Sequence, residues 1–258
     1  MAAMKNQAET VRHVRLYVDA PLTAGAEVAL DGAKTHYLAN VMRFKAGDRL
    51  AVFNGRDGEW RAAIAEMRRN SCTLVAEIET RPQRAASGPV LLFAPIKPAR
   101  TALLIEKACE LGASEFRPVV TQHSQGRRIK LERYRAHAIE AAEQCGRLEV
   151  PPVHPPAPLA DILSDWQPAR RLMFCDETGG AAALDALAAA PPAPWAILVG
   201  PEGGFSPQER ALIKSCPFSV AVSLGPRTLR SETAAVAALS LWQATLGNLR
   251  DGDSDTIS

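Results

Sequence analysis

The chain has 258 residues, 47% of them hydrophobic, and a formal net charge of +2. That length suits one large domain or, more naturally, a small domain joined to a larger one. No stretch approaches the roughly 18–20 apolar residues of a membrane span, and Met1–Val14 carries charges without the apolar centre of a signal peptide. A soluble, cytoplasmic protein is expected. The five cysteines, Cys72, Cys109, Cys145, Cys175 and Cys216, are scattered and lack CxxC or Cys/His spacing. They indicate neither a disulfide framework nor a zinc site, and no metal is expected.

From Arg15 to about Thr80 the sequence reads as β-rich. Short apolar runs at Leu16–Val18, Glu27–Leu30, Arg49–Phe53, Trp60–Ile64 and Cys72–Ile78 are separated by turn signals. These signals are Asp31-Gly32, Ala46-Gly47-Asp48, Asn54-Gly55 and Asp57-Gly58. Such spacing predicts a small barrel, interrupted by a helical turn or two around Lys34–Met42. Arg81–Pro89, rich in Pro, Ala, Ser and Gly, is a credible linker.

Beyond it strands alternate with helices. Strands are expected at Val90–Ala94, Glu115–Thr121, Arg171–Cys175, Trp195–Val199 and Ser219–Leu224. Helices are expected at Thr101–Leu111, Leu131–Leu148, Ala181–Ala190, Ser206–Cys216 and Ser231–Gly247. Pro151–Pro158 holds five prolines and is read as irregular. The alternation predicts an α/β domain with a mostly parallel sheet. Ser206-Pro207-Gln208-Glu209 reads as a capping box, and Ser231 as the cap of the last helix. The division is then 1–80 for the barrel, 81–89 for the linker, 90–249 for the α/β domain and 250–258 for a disordered tail.

In an open α/β sheet, ligands collect at the carboxyl ends of strands. Three of these ends have unusual sequences: Phe174–Gly180, Val199–Phe205 and Ser223–Ala234. The second carries Gly200, Gly203 and Gly204, which permit close approach of a ligand to the main chain or simply make a tight strand-to-helix turn. Neither GxGxxG nor GxxxxGK[ST] occurs, so dinucleotide and P-loop sites are disfavoured. In the third, Arg227 and Arg230 immediately precede a helix and suit an anion or a developing oxyanion. Alternatively they pair with Glu202 or Glu232. Residues 97–135 hold nine Lys/Arg against four acids, which is either a solvated helix face or a phosphate-binding stretch.

The runs Gly200-Pro201-Glu202-Gly203-Gly204-Phe205, Leu224-Gly225-Pro226-Arg227 and Leu229–Ala234 closely resemble the RsmE-type 16S rRNA (uracil-N3)-methyltransferases of the SPOUT superfamily. Glu106–Gly112 and Glu143-Gln144-Cys145-Gly146-Arg147 extend the resemblance, as does Arg15–Phe53, which is similar to the family's PUA-like barrel. Thr35-His36-Tyr37 stands where the family usually has a His-His pair, Thr228 where an aliphatic is usual, and Ser231 where Thr is common.

The resemblance implies a C-terminal trefoil-knotted α/β methyltransferase domain, S-adenosylmethionine as cofactor, and a homodimer acting on 16S rRNA or the small ribosomal subunit. It implies a cofactor site built from Leu198, Val199, Gly200, Pro201, Glu202, Gly203, Gly204, Ser223, Leu224, Gly225, Arg227, Leu229, Thr233 and Ala234. Within that site, Leu198, Leu224 and Leu229 would flank rings. Arg230 is the candidate cation for an anion left on the uracil oxygens, and Glu232 the candidate base or orienting group. RNA phosphates would fall to Arg12, Arg15, Arg43, Arg127, Arg128, Lys130 and Arg147. The competing readings are 2′-O-ribose or guanine-N1 methylation by the same fold, and a non-catalytic RNA-binding module.

Overall fold

Alternating apolar residues in the first third of the chain and mostly apolar strands in the rest sort it into two sheets. The structure, a computed structural model, describes residues 14–85, 87–124 and 130–247. Arg12, Arg127, Arg128 and the expected tail 250–258 lie outside those residues. Two compact units result. The first ends at Ala85 and also takes in Gly146–Val150; the second holds the remaining described residues.

The first unit contains β1 (Arg15–Tyr17), β2 (Glu27–Leu30), α1 (Gly32–His36) running into a π-helical turn (Tyr37–Val41), β3 (Arg49–Phe53), β4 (Glu59–Met67) and β5 (Cys72–Arg81). Its strands lie in the order β1-β3-β4-β5-β2. The β1–β3 ladder is parallel and the others antiparallel. Alternation places Val28 and Leu30 inward from β2, where they join Leu16, Leu50, Val52 and Leu74 in one core. The Asn54–Gly58 turn is fixed by side chains. Asn54 Oδ1 accepts from the main-chain N–H of Arg56 (3.0 Å) and of Asp57 (2.9 Å), and Asp57 Oδ2 accepts from Leu22 N–H at 2.9 Å.

The second unit contains β6 (Val90–Phe93), α2 (Pro98–Glu110), β7 (Glu115–Val120), α3 (Leu131–Cys145), β8 (Ala157–Pro158), α4 (Leu159–Ser164) and β9 (Arg171–Cys175). It continues with β10 (Ala181–Ala182), α5 (Ala183–Ala188), β11 (Trp195–Val199), α6 (Pro207–Ser215), β12 (Ser219–Ser223) and α7 (Ser231–Leu246). The sheet order is β10-β12-β9-β11-β6-β7-β8, and each ladder is parallel. Every residue of β6 and β11 is buried, as expected of a parallel sheet covered on both faces. Because β12 lies beyond β9 while α7 packs on α2 and β11, the chain re-crosses the strand tips after β12. That path departs from the un-knotted rule in the way a trefoil-knotted sheet does.

Four local readings are corrected. Helix α3 stops at Cys145 rather than Leu148, because Gly146 takes the left-handed conformation at φ +81°. The segment after it packs with the first unit, where Arg15 donates to Arg147 O (2.7 Å) and Arg81 to Gly146 O (2.7 Å). The proline-rich stretch is not wholly irregular: Ala157–Pro158 pairs in parallel with Val119–Val120 at the sheet edge, where a proline sacrifices no needed donor. Ser231 is the first residue of α7 and Arg230 its N-cap. The Ser231 hydroxyl leaves the helix and donates to Gly200 O at 2.7 Å.

Phe174 of β9 is fully buried and meets the ring of Phe205 edge-on at 5.2 Å. Phe174→Ala is expected to cost about 3–5 kcal/mol through the cavity it leaves. Urea unfolding would show it as a lower midpoint at unchanged slope.

Candidate active site

A parallel sheet brings all its strand carboxyl ends to one edge, and there the tips of β9, β11 and β12 line an open cleft. Its walls are Cys175–Glu177, Val199–Pro201, Ser223–Leu229, Ser231 and Ala234. The loop Leu224–Arg230 forms little structure of its own. Among the described residues, the main-chain N–H groups of Arg227, Thr228 and Leu229 make no hydrogen bond. Main-chain donors left open along a cleft wall are the kind of group a heterocycle or ribose can satisfy.

Of the expected cofactor residues, Val199, Gly200, Pro201, Ser223, Leu224, Gly225, Arg227, Leu229 and Ala234 line this cleft. Leu198 does not: strand alternation turns its side chain into the core, where it is fully buried. Gly203 and Gly204 are not among the lining residues. His123, just beyond β7, reaches the carbonyls of Gly203 (3.1 Å) and Gly204 (3.2 Å) through Nδ1, which must carry the proton because both partners only accept. Thr233 is exposed on α7 and is not among the lining residues.

The glycine-bearing loop is braced from several directions. Ser206 and Glu209 complete the reciprocal capping box of α6, and the second Glu209 oxygen accepts from Gln122 N–H at 2.8 Å. A Cβ on Gly200 would stand 2.6 Å from the Phe205 ring, so a side chain there would displace the ring or the loop. The Ser231 hydroxyl on Gly200 O then ties this loop to the start of α7.

The β9 tip supplies a charged floor. The Asp176 side chain is fully buried, ion-paired with Arg210 and with Lys214 (2.7 Å), and accepts from Thr178 N–H (3.0 Å) and hydroxyl (2.8 Å). Burial pushes its pKa up, but Lys214, the two Thr178 hydrogen bonds and the Arg210 charge outweigh that and hold it below the usual value. Burial pushes the Cys175 thiol up to about 12, so it is a neutral wall and not a nucleophile at neutral pH. The unusual Phe174–Gly180 sequence pointed to this tip, but nothing in it revealed that Arg210 and Lys214 of α6 would serve Asp176.

The alternative in which Arg227 and Arg230 pair with Glu202 or Glu232 is not what the structure has. Both glutamates pair with Arg100 of α2, Glu202 at close range and Glu232 at 3.9 Å. Arg227 and Arg230 are exposed, and their side chains make no hydrogen bond or ion pair among the described residues. Glu232 is only 12% exposed and, like Arg230, is not among the residues that line the cleft.

Two of the expected phosphate contacts are engaged elsewhere in the first unit. Arg15 bonds Glu59 at 2.6 Å, lies 4.5 Å over the Phe53 ring, and is 12% exposed. Arg147 bonds Glu149 at 2.6 Å and is 11% exposed. Arg43 is exposed, with left-handed backbone at φ +57°, beside the exposed Tyr37 and Val41 of the π-helical turn. In the second unit, Lys130 is exposed just before α3.

The knotted parallel sheet, its strand-tip cleft and the small β unit define the class of α/β RNA methyltransferases that carry a PUA-like domain. Residues 86–243 match the RNA methyltransferase domain family, and residues 30–77 the RNA methyltransferase PUA domain. Ribosomal RNA small subunit methyltransferase E of Rickettsia conorii is 30% identical over 231 residues, 89% of this chain and 95% of that protein. A methyltransferase of Legionella pneumophila, solved with bound S-adenosylmethionine, superposes at a TM-score of 0.80 with 28% identity, covering 91% of this chain and 98% of that one. Ribosomal RNA small subunit methyltransferase E of Neisseria gonorrhoeae, solved bound to S-adenosylmethionine, gives 0.80 and 26%, covering 90% and 98%. The chain belongs to the ribosomal RNA small subunit methyltransferase E family.

The floor of the cleft makes a pH-dependent prediction. Since folding lowers the Asp176 pKa, its stabilisation is complete above the ordinary value of 3.8 and is lost as pH falls through the lower folded value. Asp176→Asn should cost about 2 kcal/mol at neutral pH. In melting curves, the gap between parent and variant should close below pH 3.8; a gap independent of pH would contradict this origin.

Proposed function

We propose that this protein is an S-adenosylmethionine-dependent enzyme that methylates N3 of a uridine in small-subunit ribosomal RNA, giving 3-methyluridine. The carrying observation is the strand-tip cleft: three open main-chain donors along one wall, with two unpaired arginines on the same loop. The residues present suit the cofactor. Main-chain groups of 199–201 and 223–229 would hold the adenine and ribose, and Pro201, Leu224 and Leu229 would flank the ring. S-adenosylmethionine supplies, when bound, an electrophilic methyl group on a sulfonium centre.

Forming the N3–methyl bond requires that the imide proton pass to solvent, which leaves negative charge on O2 and O4 of the base. Arg230, exposed and unpaired at the start of α7, is the cation that stabilises this charge. Glu232, half-buried and paired with Arg100, orients the helix start and does not itself take the proton. Arg43 and Lys130, with Arg12, Arg127 and Arg128, would contact RNA phosphates, which position the substrate without specifying its sequence. The reading carries with it a homodimer working in the cytoplasm, where ribosomal subunits mature; no helix among the described residues is long and apolar enough to cross a membrane.

Nucleoside mass spectrometry of 16S rRNA from cells lacking the gene tests the function. Loss of 3-methyluridine is expected. Unchanged 3-methyluridine with a 2′-O-methyl or N1-methylguanine mark missing would favour the same-fold rivals, and no change in any mark would favour a binding module. In a reconstituted assay, Arg230→Ala should lower kcat about 100-fold with little change in cofactor affinity. A near-normal rate would remove Arg230 from the mechanism.

A further inference from the structure

The first turn of α2 is an unfavourable place for a cation. Its main-chain N–H groups and the helix dipole present positive charge there, and the turn contains no acidic residue to offset it. Arg100 nevertheless occupies the third position of that helix. Its side chain turns outward to two carboxylates from distant parts of the sequence. Nη1 pairs with Glu202 on the β11 tip, and Nε lies 3.9 Å from Oε1 of Glu232 in the first turn of α7. The group is partly shielded: Arg100 is 31% exposed, Glu202 25% and Glu232 12%. Glu202 follows directly on the cleft residues Gly200 and Pro201, and Glu232 lies two residues beyond Arg230. Glu232 is the carboxylate nearest in sequence to the unpaired arginines. The other acid pair at the site, Asp176 and Glu177, is already held by Arg210 and Lys214.

We propose that Arg100 is a positioning residue for the methyl-transfer site: by engaging Glu202 and Glu232 together, it keeps both carboxylates away from Arg227 and Arg230 and leaves those two guanidiniums open for substrate. The proposal rests on the methyltransferase reading for its kinetic consequence but not for its structural one. A planar guanidinium with donors at Nε and Nη can serve two acids at once, whereas a lysine ammonium is a single point charge. Arg100→Lys is therefore expected to be a partial replacement and Arg100→Ala a full loss.

Two readouts are made on the same proteins. In cofactor-free protein, the side-chain Nε–Hε NMR signals of Arg227 and Arg230 should be solvent-averaged in the parent. In Arg100→Ala at least one should become shifted and slow to exchange as it captures a released carboxylate, and in Arg100→Ala/Glu202→Gln/Glu232→Gln it should return to the parent position. In the methylation assay, Arg100→Ala should lower kcat about 10- to 100-fold with the KM for RNA changed less than about threefold. Arg100→Lys should fall between it and the parent, and the triple variant should recover at least about tenfold over Arg100→Ala. A purely structural role would lower the melting temperature without moving the Arg227 and Arg230 signals, and that result overturns the proposal. So does a triple variant whose signals remain those of Arg100→Ala. If Arg100→Ala does not fold, the same signals are read in Arg100→Lys, where unchanged positions together with parental kcat reject the proposal. A parent chain without methyl transfer would sink the methyltransferase reading alone, since the NMR comparison still decides the role of Arg100.

Discussion

The site depends on one hydrogen bond, from the Ser231 hydroxyl to the carbonyl of Gly200. The parallel sheet makes all its strand tips share one edge, but β12 lies on the far side of β9 from β11. The last loop must therefore come back across β9 before α7 begins, and without an anchor its return would be set only by packing along the helix. The Ser231–Gly200 bond fixes the point of return on the β11 tip. It closes the cleft between two loops that are separate in sequence.

Around this anchor the charges are sorted by burial. The acids nearest the cleft each have a basic partner from a neighbouring helix: Arg210 and Lys214 from α6 hold Asp176, Arg210 also holds Glu177, and Arg100 from α2 holds Glu202 and Glu232. What remains uncompensated is positive and exposed, at Arg227 and Arg230. A site arranged this way has unspent cationic charge for an anion that forms during reaction, in surroundings that need not reorganise to supply it.

Much of this was legible in the sequence. Parallel-sheet strands such as Trp195–Val199 are short, wholly apolar and ended by glycine, so their places and the loops at their tips could be read directly. The capping box at Ser206 is local chemistry and was equally readable. What could not be read depends on partners distant in the chain. Arg15 and Arg147 look like phosphate ligands in isolation, yet fold brings Glu59 and the Phe53 ring to one and Glu149 to the other. Leu198 and Val199 are indistinguishable as apolar neighbours until alternation along β11 puts one in the core and the other on the cleft. Arg100 was one basic residue among nine in its stretch, and only the meeting of α2, the β11 tip and α7 singles it out.

The central claim is that turns from three strand tips close into a pocket for a sulfonium methyl donor. A crystal structure of the protein soaked with S-adenosylmethionine tests it most directly. The donor should lie between Val199–Pro201 and Ser223–Leu229, with its adenine edge on the main chain of 227–229 and its methyl group turned toward the Arg230 side. Density for the donor at another face of the sheet, or tips drawn apart with no ligand between them, would contradict the account.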